Sequence, residues 1–220
     1  MSGTEGRVAR VEIAGPAGSG KSTLTAALAS RYRVRFGVRP CDPACLPLAV
    51  SRLHLLPWHR LLADALRGRL TREPLKSVVY LESWLRDVLR ERNGPDAIVV
   101  YDHGPFYRLA TLEALASPFS PRFCRWWDSM RRVWSTTLTT VVWLDAPNAV
   151  LLERIRGRRN GHPCEAMSAA EAGVWLDRYR LYFESALAVV RRDRPGSECR
   201  FDTSATSPDQ MVSVLADRLG

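Results

Sequence analysis

Residues 11–24, VEIAGPAGSGKSTL, concentrate the chemistry of this chain. They contain Gly15-x-x-x-x-Gly20-Lys21-Ser22, the spacing of a phosphate-binding loop, between an apolar strand pattern and a helical one. Gly15, Gly18 and Gly20 let main-chain N–H groups turn inward around phosphate oxygens, where a Cβ would obstruct them. Ala17 and Ser19 complete the loop. Lys21 brings positive charge to the outer phosphates, and the Ser22 hydroxyl suits a Mg²⁺ ion that keeps several waters. Thr23 follows in the first turn of a helix whose positive dipole end faces the same anion. Every basic residue other than Lys21 and Lys76 is an arginine, so the loop lysine stands against the composition. The expected ligand is a nucleoside triphosphate.

Carboxylates at strand ends come next, because ligands of open parallel sheets sit beyond the carboxyl ends of the strands. Asp42, Asp102 and Asp145 each follow an apolar run. Asp102 or Asp145 is expected to complete the Mg²⁺ site opposite Ser22, Asp102 being favoured because it opens into the turn His103-Gly104-Pro105. Asp145, in LDAP, serves equally as a turn at a helix start. Asp42, in CDPAC, reads either as a turn former or as a group that accepts a hydroxyl proton from an acceptor. Tyr107 and Arg108, within a turn or so of Asp102, are expected beside the acceptor with His103. Arg154, Arg156, Arg158 and Arg159 precede Asn160-Gly161-His162-Pro163. A helix ending in arginines before a polar turn reads as a lid over phosphates, with Arg154 and Arg158 paired on one face.

The elements that must hold these groups alternate along the chain. Strands are expected at Val8–Ala14, Arg33–Val38, Ala97–Tyr101, Leu138–Leu144 and Glu198–Phe201. Helices are expected near 21–32, 52–68, 74–92, 121–134, 147–158, 168–193 and 208–219. Such alternation predicts an α/β fold, a parallel sheet with helices on both faces, in one domain spanning 1–220. Ser168 and Glu171 have capping-box spacing, and the stripe Ala172, Trp175, Leu176, Tyr179, Phe183, Ala186 and Val190 reads as core. Phe119, Phe123, Trp126 or Trp127, Met130 and Trp134 form an aromatic face between arginines, read mainly as packing and partly as an oligomer contact.

The formal charge of +9 attracts phosphate, yet there is no run of five like charges and no nucleic-acid motif. A small-molecule partner is therefore expected over nucleic acid. No apolar run reaches membrane-span length, and residues 1–6 read as a short tail without a signal-peptide core. Cys41, Cys45, Cys124, Cys164 and Cys199 are scattered and odd in number, as reduced thiols of a cytoplasmic protein would be. A guanine-reading Asn/Thr-Lys-x-Asp motif is absent, which closes a regulatory GTPase reading.

Together these residues resemble the thymidylate kinase and deoxynucleoside kinase branch of the P-loop nucleotide kinases. The likeness rests on GPAGSGKST at 15–23, YDHG at 101–104, LDAPNAVLLERIRGR at 144–158 and FDTSA at 201–205. It implies a three-layer α/β/α fold with sheet order 2-3-1-4-5, acceptor-covering helices at 52–92, a lid at 157–166, and a homodimer contact through 121–134. It implies ATP and Mg²⁺ as cofactors and a base-packing loop at 201–205. His103 stands where the family has arginine, and Asp42-Pro43 resembles the Glu-Pro whose carboxylate orients or deprotonates an acceptor hydroxyl. The expected reaction is transfer of the γ-phosphoryl group to a hydroxyl of a nucleoside or related metabolite. The alternatives are a nucleoside monophosphate acceptor and, further off, a nucleic-acid 5′ end.

Overall fold

The computed structural model of the protein describes residues 8–37, 72–90, 98–114 and 121–219. Its strands are β1 (Arg10–Ala14), β2 (Val34–Phe36), β3 (Ile98–Asp102), β4 (Thr140–Asp145) and β5 (Glu198–Asp202). All pairs are parallel, in the order β2-β3-β1-β4-β5. The alternating pattern predicts the parallel sheet, and the order is the one the family resemblance implies. The central strands are buried along almost their whole length, as strands covered on both faces must be.

The helices are α1 (Lys21–Ala29), α2 (Arg72–Arg90), α3 (Pro105–Ala114), α4 (Pro121–Thr137), α5 (Asn148–Arg158), α6 (Ala169–Asp193) and α7 (Pro208–Leu219), with a 3₁₀ turn at Pro163–Glu165. On one face of the sheet, Leu24 and Leu28 of α1 and Met211, Val212 and Leu215 of α7 pack on Val11, Ile13, Val100, Val142 and Leu144. The other face carries α2, α3, α4 and α6, whose Trp84, Phe106, Trp134 and Phe183 pack on Val99, Tyr101, Val141 and Trp143. Burying large aromatic and aliphatic groups on both faces supplies the main driving force for folding.

Helix α3 is absent from the sequence-based assignment. Pro105 can start a helix because its missing N–H would be unpaired there anyway. The following amides of Phe106 and Tyr107 are capped by Glu12, which lies in β1. No local pattern announces a cap from so far away. The expected helix at 52–68 and the end of the expected strand at Val38 lie outside the described residues.

Two local expectations hold. Ser168 Oγ accepts from Glu171 N (3.3 Å) while Glu171 Oε2 accepts from Ser168 N (2.9 Å), which starts α6 with a capping box. On α4, Phe123, Trp126, Met130 and Trp134 are buried in the core, and Trp126 Nε1 donates to Glu82 (2.7 Å). The expected use of part of that face as a dimer contact does not extend to these four side chains, because the chain's own core already covers them. Phe119 lies outside the described residues. No described helix is long and apolar enough to cross a membrane.

Candidate active site

Between β1 and α1 the backbone at Gly15, Gly18 and Gly20 has φ of +151°, +80° and +87°, which side-chain-bearing residues rarely adopt. A Cβ on Gly18 would lie 2.8 Å from the carbonyl oxygen of Leu151, and one on Gly15 would collide with that of Leu144. The loop is therefore seated on the ends of β4 and α5 and open on its other side. Lys21 Nζ donates to the carbonyls of Gly15 (2.8 Å) and Pro16 (2.9 Å). Burial lowers its pKa to about 8, with Asp102 opposing the shift and Arg158 adding to it. An ammonium so desolvated favours an incoming anion.

The loop forms the floor of a cleft of about 410 Å³. Gly15, Ala17, Gly18, Gly20, Lys21 and Ser22 line it from the loop, Asp102, His103 and Tyr107 from the end of β3 and start of α3. Ile155, Arg158, Asn160 and His162 come from α5 and the turn after it, Trp175 and Tyr179 from α6. Ser19 is buried beneath Gly15, and its Oγ has no hydrogen-bond partner among the described residues. Thr23 is exposed and does not line the cleft.

Asp102 ends β3 with its Oδ1 3.2 Å from His103 Nδ1. His103 has φ of +51°, and its ring meets that of Tyr107 edge-on at 4.5 Å. This turn is held from below by Glu12, a fully buried residue that sequence reasoning overlooked. Glu12 Oε2 accepts from Phe106 N (2.7 Å) and Oε1 from Tyr107 N (2.8 Å). Burial raises the Glu12 pKa to about 8 against the pull of those two amides and of Arg108, with Asp102 reinforcing the rise. The available signal was a lone acidic residue inside an apolar strand. Gly104 makes room for this arrangement, since a Cβ there would lie 2.7 Å from Tyr101 Cβ and 2.8 Å from Glu12 Cδ. Gly104→Ala is expected to cost about 1–3 kcal/mol of stability through that overlap, measured by urea unfolding.

Several expected site residues take other positions. Arg108 is buried behind Tyr107, its guanidinium 4.3 Å over the Tyr80 ring and 5.2 Å from that of Tyr107, and it does not line the cleft. Arg154 donates to Thr203 Oγ1 and to the Thr203 carbonyl, both at 2.9 Å, and to the Gly18 carbonyl at 3.4 Å. It ties the phosphate loop to the segment after β5, while Arg158, one turn further, reaches the cleft. Asp145 is engaged by Arg180 through both oxygens, each at 2.8 Å, so of the two carboxylates expected near the metal it is Asp102 that lines the cleft. Asp42 lies outside the described residues. Trp175 and Tyr179, read as core from their spacing, pack against the core and also line the cleft, and Tyr179 Oη donates to the Gly15 carbonyl (3.1 Å).

The lid expected at 157–166 is a compact turn. Arg159 is left-handed at φ +47°, and Glu165 Oε1 accepts from Asn160 N (3.0 Å) and His162 N (2.9 Å). The donor set of the cleft fits a magnesium–triphosphate complex: an open glycine loop, a desolvated ammonium, an exposed Ser22 hydroxyl and the Asp102 carboxylate.

No family model matches the sequence, and no curated protein matches it closely. Solved structures do match in fold. The thymidylate kinase of Candida albicans superposes with a TM-score of 0.56 at 13% identity, over 96% of this chain and 90% of its own. The deoxyadenosine kinase of M. mycoides with bound dATP gives 0.51 at 11% identity, over 96% and 98%. The YorR protein of Bacillus subtilis, solved in complex with phosphorylated GDP, gives 0.51 at 17% identity, over 94% of each chain. At such identities the likeness is one of fold, and the fold is that of the P-loop nucleotide kinases.

Proposed function

We propose that this chain is an ATP-dependent kinase that moves the γ-phosphoryl group to a hydroxyl of a small molecule, a nucleoside or related metabolite. One observation carries the reading. The glycine loop, the Lys21 ammonium, the Arg158 guanidinium and the Asp102 carboxylate converge on a single cleft. Fold neighbours named as deoxyadenosine and thymidylate kinases support the reaction class.

In this mechanism the loop amides and Lys21 hold the outer phosphates, and Arg158 balances charge spreading over the transferred group. Ser22 and Asp102, partly through water, would hold Mg²⁺, which neutralises phosphate charge when bound. His103 and Tyr107 border the side of the cleft next to Asp102, where the acceptor enters. Having histidine rather than arginine at 103 favours a hydroxyl over a phosphate acceptor, because a fixed guanidinium is the better partner for an anion. Asp42 is the proposed orienting group for that hydroxyl. Arg154 contributes by anchoring the loop and the 201–205 segment, against which the base packs. The reading carries with it a cytoplasmic setting with reduced thiols.

The test is an ATP-consumption screen over nucleosides, nucleoside monophosphates, sugars and oligonucleotides, with products read by ³¹P NMR. A phosphate monoester with a small alcohol is expected. A new diphosphate would move the assignment to a monophosphate acceptor. Steeply salt-dependent oligonucleotide phosphorylation would move it to a nucleic-acid end. Inorganic phosphate as the only product would overturn the reading.

A further inference from the structure

His162 lines the cleft, and the mechanism above leaves it unused. Its Nδ1 accepts a hydrogen bond from Cys164 N (3.2 Å), and its own amide donates to Glu165 Oε1. A ring nitrogen that accepts carries no proton, so the proton of the neutral ring sits on Nε2. Burial lowers the His162 pKa, Lys21 acts in the same direction and Glu165 opposes, which keeps the ring neutral near pH 7. One edge of the imidazole is turned into the lid, and Trp175 meets the ring at 5.1 Å, nearly perpendicular. Among the described residues, no group accepts from Nε2.

We propose that His162 is a catalytic residue whose Nε2–H donates to an oxygen of the transferring phosphoryl group, beside Lys21 and Arg158. The inference rests on the kinase reading of this cleft. A neutral donor is suited to the position. Lys21 is already depressed by burial and by Arg158, and a further cation would cost more desolvation and repulsion than a hydrogen bond returns. Cys164 N holds the ring through Nδ1 and Glu165 holds the His162 main chain before ligand arrives, so the donor needs little reorganisation during transfer.

Two substitutions separate the lid role from the donor role. His162→Asn keeps an acceptor oxygen near the position of Nδ1 and removes the far donor. His162→Gln places an amide nitrogen near the position of Nε2. His162→Asn is expected to lower kcat about 10²-fold, as loss of one preorganised donor does, with the KM for ATP and the thermal midpoint little changed. His162→Gln should recover part of that loss.

A second readout is ¹⁵N–¹H NMR of the histidine rings, assigned by the signal missing from His162→Asn. The protonated nitrogen should be Nε2, and its proton should move downfield on adding Mg²⁺ and β,γ-imido ATP. Wild-type turnover by His162→Asn, or a ring protonated on Nδ1, overturns the role of His162 and leaves the kinase reading standing. A wild-type chain that transfers phosphate to no acceptor overturns both.

Discussion

Replacing Lys21 with alanine is expected to lower kcat/KM for every acceptor by about 10³-fold or more, roughly 4 kcal/mol of transition-state stabilisation. The size follows from its place. Lys21 is the ammonium at the floor of the cleft, where burial removes much of its hydration and Arg158 repels it until an anion arrives. The fold should survive its loss. The Gly15 carbonyl keeps its bond from Tyr179 Oη, and the Pro16 carbonyl keeps the one from Ser19 N (3.3 Å). A thermal midpoint within a few degrees of wild type is therefore expected alongside the loss of turnover.

The same residue predicts a pH profile. With the free-enzyme pKa near 8, Lys21 is charged below that value and loses its proton above it. kcat/KM, which reports the free enzyme, should fall as pH rises through about 8. Turnover by Lys21→Ala comparable with wild type on any acceptor would mean that phosphate is bound elsewhere.

How much of this site the sequence announces depends on how local each feature is. The phosphate loop is legible because its chemistry, turn and helix start lie within consecutive residues. The parallel strands are legible from their near-continuous apolar runs, and their order is what the family resemblance implies. Asp102 was found by asking which carboxylates end strands. Arg154 and Arg158 show the limit of spacing alone. They share a helix face, but four residues of rise, about 6 Å, leave the first beside Thr203 and bring the second to the cleft. The stripe on α6 shows another limit. Its helical period is the same throughout, yet Trp175 and Tyr179, packed on the core, also line the cleft, while Phe183, Ala186 and Val190 are wholly core. Helix α3 was missed because its first-turn donors are satisfied by Glu12 from another strand.

Glu12→Ala is the second large expected effect, and it falls on stability. It removes the acceptor of two amides at the start of α3 and leaves a void beneath Gly104. Unsatisfied buried donors cost about 1–3 kcal/mol each, so a loss of about 3 kcal/mol or more is expected. For a chain of this size that lowers the thermal midpoint by roughly 6–12 °C. Activity should fall with it, because Asp102, His103 and Tyr107 are carried by the turn that Glu12 holds.

Glu12→Gln removes the titration, although its NH₂ then faces one of the two amides that the carboxyl oxygens accept from. In the folded protein burial raises the Glu12 pKa from the ordinary 4.5 to about 8, so between those values the folded state keeps a proton that the unfolded state has released. Stability from this group is therefore greatest below about pH 4.5 and declines as pH rises to about 8, by at most about 1.4 kcal/mol per unit. Glutamine cannot titrate, so its variant should lack that slope. Urea unfolding of both proteins at intervals from pH 5 to 8 measures the difference. Parallel stability curves would show that Glu12 stays ionised in the fold, its charge held by the two amides and by Arg108, and that burial does not dominate there.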